Sequence, residues 1–458
     1  MIFPTVDFAV FFLLTFAVCW ALAPHPRLWQ PWVLAASYFF YGYADVRFCF
    51  LLAGVTLWNQ LFARLVHRRP GNALVALAVA GDLGALAWFK YYGFFASSFD
   101  DLVGGESLPL LQVALPVGIS FFTFQAITYV VDVRRGHVEP VSLLEAAVYL
   151  SFFPHLVAGP IVRASEFLPQ LRQPRRAADI PVAEAVGLIM GGLFKKVVLA
   201  DVLATQLVDP AFGSPAAHSG PELLLATYGY ALQVFCDFSA YTDIAIGVAL
   251  LLGIRFPQNF NRPYIATSFS DFWKRWHMTL SRFLRDYLYI PLGGNRRGSS
   301  RVYVNLMLTM LLGGLWHGAA WTFVVWGALH GGFLALERLL GSLLEWRPPP
   351  WLARVVVFHG VCLAWIFFRA DSFASAVEVL TRIGTWADGS VSLVGAAVVL
   401  ALLAGALTQV IPREVGFVAR QGFITLPVAA QGLSLGVAIA AIQTLGHQGV
   451  APFIYFRF

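Results

Sequence analysis

The sequence predicts an all-α polytopic integral membrane protein, and two observations carry the prediction. Of the 458 residues, 59% are hydrophobic and 12% charged, which lies outside the balance of soluble domains. Apolar runs of the length needed to cross the bilayer, roughly 20 helical residues for about 30 Å of hydrocarbon, recur from end to end. They fall at residues 5–23, 46–63, 73–96, 110–131, 182–208, 222–253, 302–320, 321–340, 355–369, 391–411 and 427–445. About ten or eleven membrane-embedded helices are therefore expected.

The first run ends in Ala21-Leu22-Ala23, which resembles a signal-peptidase site, but no Lys or Arg precedes it to form a basic n-region, so it reads as a retained span. Cytoplasmic loops are enriched in Lys and Arg, and on that rule the N-terminus lies outside. Arg64, His67, Arg68 and Arg69 turn inside, the loop with Asp100, Asp101 and Glu106 lies outside, and Arg134 and Arg135 return the chain to the cytoplasm. Arg163, Arg172, Arg175 and Arg176 also read as cytoplasmic, although the apolar run 141–160 intervenes. That run holds Pro154, His155, Gly159 and Pro160, and broken backbone at membrane depth needs protein or water around it. It is expected to be re-entrant or kinked, unless the charge rule fails locally. The four cysteines stand alone in apolar runs, with no metal or redox spacing. After 222–253, the segment 254–301 carries nine Lys and Arg against Asp271 and Asp286, a net +7 where the whole chain has +6. No internal repeat or low-complexity linker divides the chain, so residues 1–458 read as one integral domain with a basic cytoplasmic, interfacial segment at 254–301.

Within that segment, FSDFWKRWHMTLSRFLRDYLYIPLGGNRRG, Phe269 to Gly298, repeats Phe272, Trp273, Trp276, Leu280, Phe283 and Leu284 at three and four residues behind Ser270 as a cap, and ends at Pro291 and Gly293-Gly294. An amphipathic interfacial helix is expected, either anchoring to anionic lipid or receiving a phosphate-bearing cytosolic ligand. Lys274, Arg275, Arg282, Arg285 and Arg296 are the candidate ligand contacts. His277 on this helix is either a packed ring or a polar group facing a tunnel.

GGLWHGAAWTFVVWGALHGG, Gly313 to Gly332, places His317 and His330 in a run with no charged residue. An ionisable ring at membrane depth is costly and points to function; a neutral imidazole can take a proton from a hydroxyl near pH 7. Gly313, Gly314, Gly318 and Ala319 would let neighbouring helices close on His317. A structural histidine bonded to a carbonyl is the alternative, and His330 reads as structural. In Phe235 to Gly253, Asp237 with Tyr241 and Ser239 with Asp243 share faces at i, i+4, as internally satisfied pairs or as chamber lining. No phosphate loop, G-x-S-x-G elbow or H-E-x-x-H motif is present.

Seven stretches together resemble the membrane-bound O-acyltransferase family: SYFFYGY at Ser37, FPHLVAGPIVR at Phe153, DFSAYTDIAIG at Asp237, FPQNFNRPY at Phe256, FWKRWHMTLSRFLRDYLYIPLGGNR at Phe272, GLWHGAAWTFVVWG at Gly314 and PFIYFRF at Pro452. The likeness is to its bacterial branch, which includes alginate O-acetylation and teichoic acid D-alanylation proteins. It implies a ring of tilted helices around a thinned centre, with a central tunnel where a cytosolic thioester donor meets an acceptor from the far side. It implies His317 as catalytic base and His277 as the second catalytic position; Asp237, Tyr241, Trp316, Trp276 and His155 are the candidates for lining the tunnel or the substrate. The donor it implies is acetyl-CoA or an acyl-carrier phosphopantetheine thioester, with no tightly bound cofactor and no metal. Its implied setting is a multi-pass protein of the bacterial inner membrane, contacting lipids and an extracytoplasmic acetyltransferase or polysaccharide export partner, and no nucleic acid. Alternatives are D-alanyl or other acyl transfer to a cell-wall polymer, a proton-coupled transporter using His317 and Asp237, and a non-catalytic scaffold.

Overall fold

Helices follow the apolar runs closely. The computed structural model describes residues 1–105, 109, 111, 114–344, 348–386, 389–446, 453 and 454, and no strand occurs among them. Among the described residues, six helices are long and apolar enough to cross a bilayer: Arg47–Arg68, Asn72–Val103, Gly220–Leu251, Trp321–Leu343, Pro350–Arg369 and Val428–Leu445. Val6–Ala21 and Ala396–Val410 are shorter and also apolar. The protein is thus an all-α, multi-pass membrane protein.

Residues 1–185 and 245–257 form one compact unit, and 186–244 with 258–458 a second. In the first, Ile119–Arg134 is buried along nearly its whole length. Residues 114–118 of the run 110–131 are not helical and the helix starts at Ile119, beyond Pro116, since a proline disfavours helix in the residue before it. A helix at Pro26–Gly42 was not among the expected runs. Its Pro26 sits at the first helical position, where a missing N–H costs nothing, and Trp29, Val33, Ala36, Phe40 and Tyr41 bury one face at helical spacing. The segment expected to be re-entrant is a nine-residue helix, Leu143–Ser151, followed by the single turn Phe153–Leu156. Nine residues rise only about 14 Å, so this helix does not cross.

Gly220–Leu251, of which residues 245–251 belong to the first unit, is almost wholly buried, whereas in the second unit the apolar side chains of Val428–Leu445 are largely exposed, as a bilayer-facing helix requires. The run 182–208 contains two π-helical stretches, Phe194–Ala200 and Ala204–Val208. The expected single basic helix is corrected: the chain forms Phe269–Trp273, breaks, and resumes as Met278–Phe283 and the π-helical Leu284–Tyr289. The cap is Ser268, not Ser270; its Oγ accepts the Asp271 N–H at 2.9 Å. The break falls at His277, whose φ of 40° and ψ of 55° are left-handed.

Candidate active site

His317 is the last residue of the helix Ser299–His317. A Cβ on Gly314 would sit 2.3 Å from the Phe323 carbonyl oxygen, and one on Gly327 2.4 Å from that of Met310. Any side chain at either position would push the two helices apart, so these glycines set the backbone contact that holds the His317 turn against Trp321–Leu343. The buried imidazole meets Trp316, Trp326 and Phe368 edge-on, with ring centroids at 5.0, 4.9 and 5.2 Å.

His277 enters the same cluster by another route. Asn259 Oδ1 accepts the Thr279 backbone N–H at 3.2 Å and the Thr279 hydroxyl at 2.9 Å, and lies 3.1 Å from His277 Nδ1. The Thr279 N–H can only donate, which fixes the Asn259 atom as oxygen. Nδ1 must then carry the proton, leaving a lone pair on Nε2, which is buried and has no partner among the described residues. Complete burial pushes the imidazole down to about 3, so it is neutral at physiological pH. The ring lies 4.7 Å from Phe238 and 6.0 Å from Trp316, the tryptophan that also touches His317.

His330 is the third member. It is held by Trp326 at 4.7 Å and Trp273 at 5.0 Å and stacks on Phe272 at 5.9 Å, with neither ring nitrogen bonded among the described residues. Trp326 thus bridges His317 and His330 as Trp316 bridges His277 and His317.

Trp273 also forms the inner wall of a cavity of about 790 Å³, within the range of small-molecule sites. Leu284 and Met310 make its apolar side; Lys274, Arg282, Arg285 and Arg338 make it cationic, against one carboxylate, Glu337. Two aromatic rings, Trp273 and Trp326, lead from this cavity to His317.

The profile of the membrane-bound O-acyltransferase family matches residues 84–375, more than half of the chain. The chain belongs to that family. It is 36% identical to a probable alginate O-acetylase of Pseudomonas putida over 93% of this chain and 94% of that protein. To the probable alginate O-acetylase of Pseudomonas aeruginosa it is 42% identical, over 77% of this chain and 70% of that one. To the peptidoglycan O-acetyltransferase of Helicobacter pylori it is 39% identical, over 79% and 71%. The protein is accordingly an O-acyltransferase.

Against the positions named from sequence, the acyltransferase brings His317, His277, Trp316 and Trp276 together in one unit. Trp276 is buried against Phe260 and Trp365, each at 5.0 Å. Asp237 and Asp243 are not satisfied along their own helix as the i, i+4 spacing suggested: their cations come from the π-helical stretch. Lys196 lies 2.8 Å from Asp237 and 2.9 Å from Asp201, all three buried, and Lys195 lies 2.5 Å from Asp243 and 2.8 Å from Ser239. Asp237 Oδ2 also accepts the Ile454 N–H at 2.8 Å, and Phe453 packs on Tyr241 at 4.0 Å. Pro452 and 455–458 of the PFIYFRF stretch, like Glu106 and Ser107, lie outside the described residues. His155 belongs to the other unit, with Nε2 on the Tyr149 carbonyl at 2.9 Å and Phe256 stacked at 5.2 Å. Among the basic residues, Lys274, Arg282 and Arg285 line the cavity, whereas Arg275 pairs with Asp271 at 2.8 Å and Arg296 is exposed away from the lining. Sequence reading missed Asn259, Arg338 and Lys196. Asn259 stood inside the quoted FPQNFNRPY stretch, but its partners are 18 and 20 residues away.

Proposed function

We propose that this acyltransferase moves an acetyl group from a cytosolic thioester, acetyl-CoA or an acyl-carrier phosphopantetheine, to a hydroxyl acceptor on the far side of the bacterial inner membrane, in exopolysaccharide or cell-envelope O-acetylation. The observation that carries the reading is a cationic cavity whose Trp273 wall packs, through Trp326, against a buried histidine cluster. The acetyl group rests on the likeness to alginate O-acetylases and a peptidoglycan O-acetyltransferase.

In this mechanism His317 takes the proton of the acceptor hydroxyl as its oxygen attacks the thioester carbonyl. The carbon–sulfur bond breaks, the ester forms, and the proton passes to the departing thiolate. His277 offers a lone pair at Nε2, so it orients a donor group such as the acceptor hydroxyl and does not itself stabilise the oxyanion. Guanidinium groups of Arg282, Arg285 and Arg338 suit phosphates of the donor arm through paired N–H bonds. Acceptor delivery falls to an extracytoplasmic acetyltransferase or export partner.

The test is acetyl transfer from acetyl-CoA, or from an acetylated carrier protein, by purified protein. His317→Ala should reduce transfer at least 100-fold, the lower end of what a general base supplies, while eluting as a folded, monodisperse species. A well-folded variant with normal transfer sinks the assignment.

A further inference from the structure

The first compact unit holds a second pocket, of about 150 Å³, that the acyl-transfer reading does not use. It lies between the 170–181 stretch and the end of the long helix at 250–255, and it gathers Arg175, Arg176 and Arg255 against a single carboxylate, the exposed Asp179. None of the three arginines forms an ion pair among the described residues.

Arg175 is the anchor. Its guanidinium carbon lies over the fully buried ring of Trp29, 3.5 Å from the centroid, a cation–π contact that holds the side chain in place. Its Nε and Nη2 are buried without a hydrogen-bond partner among the described residues, and burial pulls the guanidinium down to about 10. Guanidinium N–H groups buried without a partner are unfavourable, and an anion beside them would satisfy both the hydrogen bonds and the charge.

The surrounding backbone is built for this placement. Gly253 has φ +80°, and a Cβ there would press on Arg175 Cγ at 3.3 Å, so the arginine packs over a position where both space and conformation call for glycine. Gln170 clamps the adjacent strand of chain from both sides: its Oε1 accepts the Arg255 N–H at 2.8 Å and its Nε2 donates to the Arg255 carbonyl at 3.0 Å. Arg255 is thereby presented to the pocket on a fixed main chain.

Size and position select the ligand. A volume of 150 Å³ is several times a water's share of about 30 Å³ but below the roughly 300 Å³ of sites for whole small molecules. It admits one phosphate group and not a nucleotide. The arginine-rich loop places it at the cytoplasmic face, and Leu250, Ile180 and Pro181 give it an apolar border. Basic pockets of this kind beside membrane helices suit anionic lipid head groups. We propose that this pocket binds the phosphate of an anionic phospholipid of the cytoplasmic leaflet, with Arg175 as the fixed contact and Arg176 and Arg255 closing over it.

The experiment titrates purified full-length protein in neutral detergent with dioctanoyl phosphatidylglycerol, with dioctanoylglycerol, which lacks the phosphate, and with inorganic phosphate, following the thermal midpoint. A saturable rise is expected with phosphatidylglycerol and none with dioctanoylglycerol. Inorganic phosphate producing the same saturable rise would keep the phosphate site and make free phosphate its source. Arg175→Gln, and separately the surface pair Arg176→Gln with Arg255→Gln, should each raise the apparent Kd at least about tenfold, as loss of a charged hydrogen bond predicts. If Arg175→Gln does not fold, the surface pair decides. An equal shift with dioctanoylglycerol, no saturable shift with either phosphate compound, or unchanged affinity in the folded variants overturns the proposal.

Discussion

Lys196 offers the sharpest energetic test of the second unit. Its ammonium is the cation shared by Asp201 and Asp237, at 2.9 and 2.8 Å, and all three side chains are at most 3% exposed. Lys196→Met removes one positive charge and leaves two carboxylates facing each other out of water. Breaking a buried ionic group by removing one partner costs about 3–5 kcal/mol. At roughly 2 °C per kcal/mol for a domain of this size, the thermal midpoint should fall by about 6–10 °C. Neutralising the whole group, Lys196→Met with Asp201→Asn and Asp237→Asn, should recover most of that loss, because replacing all members removes the stranded charge along with the attraction. The measurement is the melting midpoint of detergent-purified protein by size-exclusion fluorescence after heating. A triple variant less stable than Lys196→Met, or a single variant that melts with the wild type, would refute the reasoning.

Asn259→Ala should lower turnover at least about tenfold with little change in donor KM, because it frees Nδ1 of His277 and so the tautomer whose Nε2 lone pair is proposed to orient the acceptor hydroxyl, about the worth of one hydrogen bond; unchanged kcat would show that the tautomer is irrelevant. Replacing Arg282, Arg285 and Arg338 by glutamine should raise the donor KM and flatten its dependence on ionic strength, while Arg296→Gln, away from the cavity, should do so less; a pure kcat effect would return the basic segment to a lipid anchor. His277 titrates near 3 where an unfolded histidine titrates near 6.5, so its contribution to stability is complete above pH 6.5 and is lost as pH falls towards 3. His277→Gln should make acid destabilisation over that window shallower, as followed by melting midpoint against pH. Cysteine at Ser299 should resist a membrane-impermeant reagent in intact cells and cysteine at Asp101 should react, and the reverse pattern would invert the topology.

Local pattern sufficed wherever a feature depends on neighbours in the chain. His317 stood out because it is ionisable inside an apolar run, and Gly314 because small residues surround it; the structure buries the first and sets the second against the Phe323 carbonyl. The break at His277 left no trace, since Trp276 and Leu280 are four apart and continue the helical period straight across it. Asn259 and Lys196 were illegible for a related reason. Each is defined by a partner on another element, and the i, i+4 match of Asp237 with Tyr241 offered a nearer, plausible and incomplete account. Arg338 lies at the end of a span, outside the basic segment on which charge counting had focused.

The left-handed backbone at His277 sets local stability against the role proposed for its ring. A non-glycine residue in that conformation costs of the order of 1–2 kcal/mol, a cost that glycine, lacking a Cβ, avoids. A search for more stable variants of this enzyme would therefore be drawn to position 277 and would favour glycine there, discarding the imidazole with the strain. If His277 orients the acceptor as proposed, thermostability and acyl transfer should part company at this residue, and improvement by melting temperature alone would select a better-folded protein without that orienting ring.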